Sequence, residues 1–185
     1  MNNDLIETQR QSLQLMLDGE KTQEERNIMG QFSTPIALAI NVLAHAKNIS
    51  SKQCKIRFLD PAFGTGSFYS ALNSVFPSTR IEVATGFEVD EHYGKPTLKL
   101  WGKTKLNYQL ADFTKQIPPC EDEKYNLIIC NPPYVRHHHI NGQKERLQAK
   151  ALDAANMKLS GLAGLYCHFI ALSHPWMKKN AIAGW

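Results

Sequence analysis

The sequence predicts an α/β domain built around a mostly parallel sheet. Three observations carry that reading. Short apolar runs rich in strand formers, KIRFLD (55–60), IEVATGFEVD (81–90), LNYQLADF (106–113) and YNLIIC (125–130), alternate with segments of helical spacing. That alternation is the pattern of strand–helix–strand units joined by right-handed crossovers. The continuous apolar run of YNLIIC suits a strand buried on both faces, as parallel strands are. The chain has 185 residues, 43% hydrophobic and 21% charged, ordinary usage for one globular domain. Chains of roughly 150 residues already bury nearly 70% of their unfolded surface, so a sizeable core is expected.

The elements follow in order. Residues 3 to 18 set Leu5, Ile6, Leu13, Met16 and Leu17 at near-helical spacing, and Gly19 follows as a stop. A polar stretch, EKTQEERN, comes next. GQFSTPIALAINVLAHAKN reads as a loop opening a helix, with Thr34 as N-cap and Pro35 at the first helical position, where its missing N–H costs nothing. After the first strand, SFYSALNSVF (67–76) is a helix. PTLKLWGK (96–103) is another, with Pro96 at its start. LAGLYCHFIALSHPWMKK (162–179) is a third, which Pro175 should kink or shorten. Lys178 and Lys179 would close it, where cations oppose the negative end of the dipole. AIAGW (181–185) opens a fifth strand, and because the sequence stops inside it, a fragment of a longer protein is expected.

Composition removes several classes of function. No window approaches the roughly 20 apolar residues of a membrane span, so no membrane partner is expected. The start, MNNDLIETQR, lacks the basic and apolar regions of a secretory signal, and a cytoplasmic location is expected. Cys54, Cys120, Cys130 and Cys167 form no C-x-x-C pair, which argues against a disulfide framework or a zinc module and for reduced thiols. The net charge of +4, from 21 Lys+Arg against 17 Asp+Glu, permits nucleic-acid binding without demanding it.

In sheets of this kind ligands sit beyond the carboxyl ends of the strands, where strand order reverses. The first strand exits into Asp60-Pro61-Ala62-Phe63-Gly64-Thr65-Gly66. Gly64 and Gly66 let the backbone turn tightly and approach a ligand. The third glycine of a dinucleotide fingerprint is missing, since Phe68 and Tyr69 follow. A carboxylate at the strand tip repels a pyrophosphate and attracts an ammonium or sulfonium, which favours S-adenosylmethionine over a dinucleotide; the bland alternative is an ordinary tight turn. The second strand ends in Glu88-Val89-Asp90. Glu88 is the candidate to accept from a ribose diol, and Asp90 reads as a solvated acid at a strand end. The third ends in Ala111-Asp112-Phe113, where Asp112 could accept from an adenine amino group and Phe113 lie against the ring. The fourth ends in Asn131-Pro132-Pro133-Tyr134. Two prolines after a buried strand remove backbone donors and fix the chain. They hold the Asn131 amide oxygen and the Pro132 carbonyl as convergent acceptors for one amino group, with Tyr134 offering a face for stacking.

Asp60-Pro61-Ala62-Phe63-Gly64-Thr65-Gly66-Ser67-Phe68, Ala111-Asp112-Phe113 and Asn131-Pro132-Pro133-Tyr134-Val135-Arg136, with Thr34-Pro35 upstream, together resemble the gamma-type amino-group DNA methyltransferases that make N6-methyladenine. The longer match resembles the methylase part of combined, type IIG-like restriction–modification enzymes. The resemblance runs from about residue 30 to 185 and implies a Rossmann-like S-adenosylmethionine-dependent methyltransferase domain, incomplete at its C-terminal side, behind a helical extension of residues 1–29. It implies that Phe32 and Thr34 touch the methionine end of the cofactor. Asp60, Ala62, Gly64 and Gly66 would face its amino and sulfonium side. Glu88 would take the ribose, and Val89, Asp112, Phe113 and Phe169 the adenine. Asn131, Pro132, Pro133 and Tyr134 would hold a flipped target base from double-stranded DNA, with specificity in a C-terminal target-recognition region. Three residues depart from the family's pattern: Phe63 stands where cysteine is usual, a bulkier side chain in a tight turn, Asn126 where an acid usually opens the fourth strand, and Gly164 where an acid or amide is common.

Rival readings keep part of this. The same motif serves enzymes that methylate a protein glutamine, a guanine amino group in RNA or cytosine N4, because it reads an amide or amine beside a planar group. An inactive cofactor-binding fragment is the non-enzyme alternative. His137, His138 and His139 do not converge on one face, so phosphate or solvent contact beside Arg136 is preferred to metal, and no metal site is expected. The mixed-charge segment from Gln143 to Lys150 reads as a solvated helix.

Overall fold

The computed structural model describes residues 3–140 and 142–185. Residues 1 and 2 of the expected N-terminal extension lie outside the described residues. Among the described residues, seven α-helices and five strands run in the order α1 (Asn3–Gly19), α2 (Gln23–Met29), α3 (Ile36–Ile49), β1 (Ile56–Asp60), α4 (Ser67–Val75), β2 (Ile81–Glu88), α5 (Glu91–Trp101), β3 (Leu106–Leu110), β4 (Tyr125–Ile129), α6 (Lys144–Ala155), α7 (Leu165–Ser173) and β5 (Met177–Gly184). The sheet order is β3-β2-β1-β4-β5, and every pairing is parallel. The order reverses between β1 and β4, so the crevice that such sheets offer to ligands opens beyond Asp60 and Ile129.

Alternate strand residues feed two cores, as the period of two requires. Phe58, Leu127 and Ile129 join Ile6 of α1, Leu43 of α3, Leu72 of α4 and Trp101 of α5 on one face. Leu59 and Ile128 join Phe113, Leu147 of α6, Phe169 and Leu172 of α7, and Trp176 on the other. The central strands are therefore covered on both sides, which is why YNLIIC carries no polar alternation. Asn126 staples β4 to β1: its Oδ1 accepts from the Arg57 N–H at 2.9 Å and its Nδ2 donates to the Lys55 carbonyl at 2.7 Å. An amide meets both a donor and an acceptor there, which a carboxylate could not.

Several local expectations are corrected. The polar stretch after Gly19 contains α2, started by a capping box in which Thr22 and Glu25 satisfy each other's backbone N–H groups. Thr34 is not the N-cap of α3. That position falls to Pro35, with no side-chain cap, and the Thr34 hydroxyl is engaged elsewhere. Helix α5 begins five residues before Pro96, capped by Asp90, so Pro96 lies inside the helix rather than at its start. Pro175 ends α7 outright, and a 3-10 turn at His174–Trp176 leads into β5. Lys178 and Lys179 are accordingly strand residues, not the close of a helix. The segment from Lys144 is helical. All four cysteines are free thiols. No helix among the described residues is long and apolar enough to cross a membrane.

Candidate functional site

A cavity of about 360 Å³ opens at the switch point. Ala62 and Gly64 from the turn after β1, Glu88 and Val89 from the tip of β2, Asp112 and Phe113 after β3, Asn131 and Pro133 after β4, Phe32 before α3, and Phe169 of α7 all line it. Four strand tips separated by up to 70 residues thus meet in one space. Of the other sequence candidates, Asp60 lies beneath the turn, 1% exposed. Gly66 starts α4 at φ +90°, packed against Phe63 and Trp101. Thr34 stands behind Asn131. Tyr134 is half exposed and lines an adjoining slot with Phe32, Arg136 and His139.

The electrostatics are those of a buried acid pair. Asp60 accepts from the Ala62 N–H at 3.2 Å, and the Cys130 thiol bonds to it as well. Burial, reinforced by the Glu88 charge, pushes its carboxyl up to about 8. Glu88 accepts from the Gly64 N–H and the Asp90 N–H, both at 2.8 Å. Burial still raises its pKa. Two acids held dry and close favour a cation in the same space, since an opposite charge restores the ionised form. Asp112 caps the turn after β3, taking the Thr114 N–H at 2.9 Å and its hydroxyl at 2.7 Å. Phe113 and Phe169 meet at a centroid distance of 5.6 Å and form an apolar floor. The Phe63 ring folds back over Gly66, where a Cβ would overlap it. It points into the core, edge-on to Tyr108 at 5.4 Å, over Gly86, where any side chain would overlap it.

Asn131 is held on one side only. Its Nδ2 donates to the Phe32 carbonyl at 3.0 Å and to Thr34 Oγ1 at 3.2 Å. The Tyr134 N–H donates to the Gly30 carbonyl at 3.2 Å. The Phe32 and Tyr134 rings lie edge to face at 6.1 Å, and Tyr166 tilts against the other side at 6.3 Å. His137, His138 and His139 form one 3-10 turn. Among the described residues no group of three or more His, Cys, Asp or Glu side chains gathers as a metal site.

The sequence reading missed one wall entirely. Gln14 and Asp18 of α1, and Ile28 and Met29 of α2, also line the cavity. A buried chain of hydrogen bonds sets them. Arg10 pairs with Glu7 and donates to Thr65 Oγ1 at 2.9 Å, Thr65 donates to Gln14 at 2.6 Å, and both Gln14 and Tyr93 donate to Asp18 Oδ1 at 2.8 Å. Asp90 is not a solvated acid. It caps α5 and accepts from Lys21 and from Gln31, the latter at 2.7 Å, tying the α1–α2 corner to β2. The one signal available in the sequence was the spacing Glu7, Arg10, Gln14, Asp18, a polar stripe on an otherwise amphipathic helix.

A model of the Eco57I restriction-modification methylase family matches residues 6–185. The chain belongs to that family. Among curated relatives of this Eco57I-type methylase, the type II methyltransferase M.AccI of Acinetobacter calcoaceticus is 31% identical over 159 residues, 85% of this chain and 27% of its own length. The type II methyltransferase M.XamI of Xanthomonas campestris pv. amaranthicola is 30% identical over 115 residues, 61% of this chain and 21% of its own length. The chain thus spans about a quarter of those relatives. Among solved structures, a protein of Listeria monocytogenes described as a class I S-adenosylmethionine-dependent methyltransferase superposes with a TM-score of 0.73 at 17% identity, over 99% of this chain and 53% of its own. The methylase therefore has the class I S-adenosylmethionine-dependent methyltransferase fold.

Proposed function

We propose that this methylase domain transfers the methyl group of S-adenosylmethionine to adenine N6 of double-stranded DNA, as the modification activity of a cytoplasmic restriction–modification system. The observation that carries the reading is one cavity lined by both Glu88 and Asn131, with Asp60 buried beneath the glycine turn that forms part of its wall. The residues fit the cofactor. The cavity has the size of a small-molecule site. Asp60 and Glu88 suit a cation and a diol, and Phe113 and Phe169 suit a planar base.

Bound S-adenosylmethionine supplies an electrophilic methyl group. The chain's own residues do the rest. The Asn131 amide oxygen and the Pro132 carbonyl accept the two N–H bonds of an amino group, which withdraws its lone pair from the ring and aims it along the cavity. Positive charge then grows on that nitrogen, and fixed acceptors at this point are worth about 3–4 kcal/mol each in comparable sites. Tyr134 and Phe32 offer faces for a base taken out of the duplex, offsetting an unstacking cost of a few kcal/mol. Arg136 and the histidine turn beside this slot suit phosphate contact.

Calorimetric titration with S-adenosylmethionine, beside radiolabelled methyl transfer to unmethylated genomic DNA, tests the reading. Asp60→Ala should abolish cofactor binding. Asn131→Ala should bind cofactor normally and lose on the order of 10²–10³-fold in transfer. Full transfer by Asn131→Ala would falsify the assignment, and label appearing in protein or RNA instead of DNA would redirect it to a glutamine or RNA amino group.

A further inference from the structure

The Asn131 amide has two ends of nearly equal size, one a donor and one an acceptor, and only the acceptor end can receive an amino group. Something in the fold must choose between them. Nδ2 lies 3.0 Å from the Phe32 carbonyl oxygen. A carbonyl oxygen only accepts, so the end of the amide that meets it has to be the NH2. Its second hydrogen goes to Thr34 Oγ1 at 3.2 Å. Both donors are then spent against the segment before α3, and Oδ1 is turned away from it on a side chain that lines the cavity.

The segment making these contacts is itself fixed. Gly30 starts it in the left-handed region at φ +63° and receives the Tyr134 N–H. Pro35 ends it, which confines Thr34 to extended backbone. Thr34 would ordinarily serve as a helix cap, but Pro35 occupies the cap position, and the hydroxyl is left for Asn131.

We infer that Thr34 is a positioning residue acting through Asn131: with the Phe32 carbonyl it locks the amide oxygen toward the substrate, so that the site takes an exocyclic amino or carboxamide N–H donor and rejects a group offering only a lone pair. The inference rests on the methyl-transfer reading above and deepens it. It also separates Thr34 from the cofactor contact that family resemblance implies for it.

The test compares Thr34→Val, which keeps the shape and removes the acceptor, with Thr34→Ser, which restores it. Two readouts do not require turnover. Exchange of the Asn131 side-chain amide protons, followed by nitrogen-15 NMR, should quicken about tenfold or more in Thr34→Val and return in Thr34→Ser. Affinity for S-adenosylmethionine by calorimetry should stay within about twofold in both. In methyl transfer to unmethylated genomic DNA, Thr34→Val should lower kcat by about threefold to tenfold, the worth of one hydrogen bond, with KM for S-adenosylmethionine unchanged. Unaltered amide exchange in Thr34→Val overturns the inference. So does a loss of cofactor affinity as large as the loss of kcat, which would make Thr34 a cofactor contact. Absence of methyl transfer by the unaltered chain counts against the proposed function instead, and the NMR comparison still decides the role of Thr34.

Discussion

The two walls of the cavity are built by different means. The strand-tip wall, from Ala62 to Asn131, is shaped by backbone: a glycine turn, a diproline, and carboxylates that accept N–H groups within two residues or from the neighbouring tip. The helical wall, from Gln14 to Ser33, is shaped by side chains that reach across 50 to 75 residues, through Arg10–Thr65–Gln14 and Tyr93–Asp18 and through Lys21–Asp90–Gln31. A backbone wall cannot yield without the sheet yielding. A side-chain wall can loosen while the sheet stays folded.

Titration separates the walls most sharply, because their acids shift in opposite directions. Burial raises Asp60 to about 8, and Glu88 rises for the same reason. A carboxyl with a raised folded pKa holds its proton longer in the native state, so its stabilisation is complete below the unfolded value near 4 and is lost as pH climbs to about 8. One such group changes stability by up to about 1.4 kcal/mol per pH unit. On the helical side burial also opposes charge, but the Arg10 bonds to Glu7 and the Lys21 and Gln31 bonds to Asp90 outweigh it and hold both acids low. Their contribution is present above the unfolded values near 4 and is lost in acid. Chemical denaturation of the free chain should therefore show stability falling from about pH 5 to 8, by on the order of 3–4 kcal/mol. Asp60→Asn should remove most of that alkaline loss and leave the acid limb in place. An Asp60→Asn profile parallel to the unaltered one would mean that the strand-tip acids are not the buried charge of this fold.

The seam between the walls comes next. Gly30 adopts φ +63°, and a Cβ there would overlap the backbone nitrogen of Tyr134 and stand 2.8 Å from that of Val135. Gly30→Ala combines a left-handed residue, costing about 1–2 kcal/mol, with a collision against main chain that has no rotamer to escape by. A loss of about 3 kcal/mol is expected, which for this size lowers Tm by roughly 6–12 °C. A Tm shift under about 2 °C would show that the helical wall moves independently of the diproline loop.

How much of this could be read from the sequence divides along the same line. The sheet was legible because a parallel strand covered on both faces leaves an unbroken apolar run, as Ile128 and Ile129 do. The strand-tip candidates were legible because their geometry is local. Asp60, Glu88, Asp112 and Asn131 each sit one or two residues past an apolar run, and Gly64 follows in the turn after the first. The helical wall was not, because Gln14 and Asp18 gain their meaning only from Thr65 and Tyr93, and no spacing in the chain states that pairing. Thr34 misled for a related reason. Thr-Pro before an apolar helix is a good cap on local grounds, and the hydroxyl went to Asn131, 97 residues away, instead. Asp90 was underestimated in the same way, since only Lys21 and Gln31 distinguish it from a solvated strand end.

The smallest expected effect asks whether the helical wall touches the ligand or only covers it. Asp18 lines the cavity with its Oδ1 taken by Gln14 and Tyr93. Asp18 and Glu88 line the same cavity from opposite walls, one from α1 and one from the tip of β2. A carboxylate there favours a cationic or hydroxyl-bearing ligand through one charged hydrogen bond. Asp18→Asn keeps the volume and an acceptor but removes the charge. It should weaken S-adenosylmethionine by about fivefold, close to 1 kcal/mol, with Tm within about 2 °C of the unaltered chain. Tyr93→Phe frees one lone pair of Asp18 and should weaken binding less, by about twofold. Equal affinity in all three chains would make α1 a lid over a site that belongs to the strand tips alone. A loss in Asp18→Asn without a change in Tm would make the N-terminal helix part of the binding site itself, written in the sequence by nothing more local than a polar stripe.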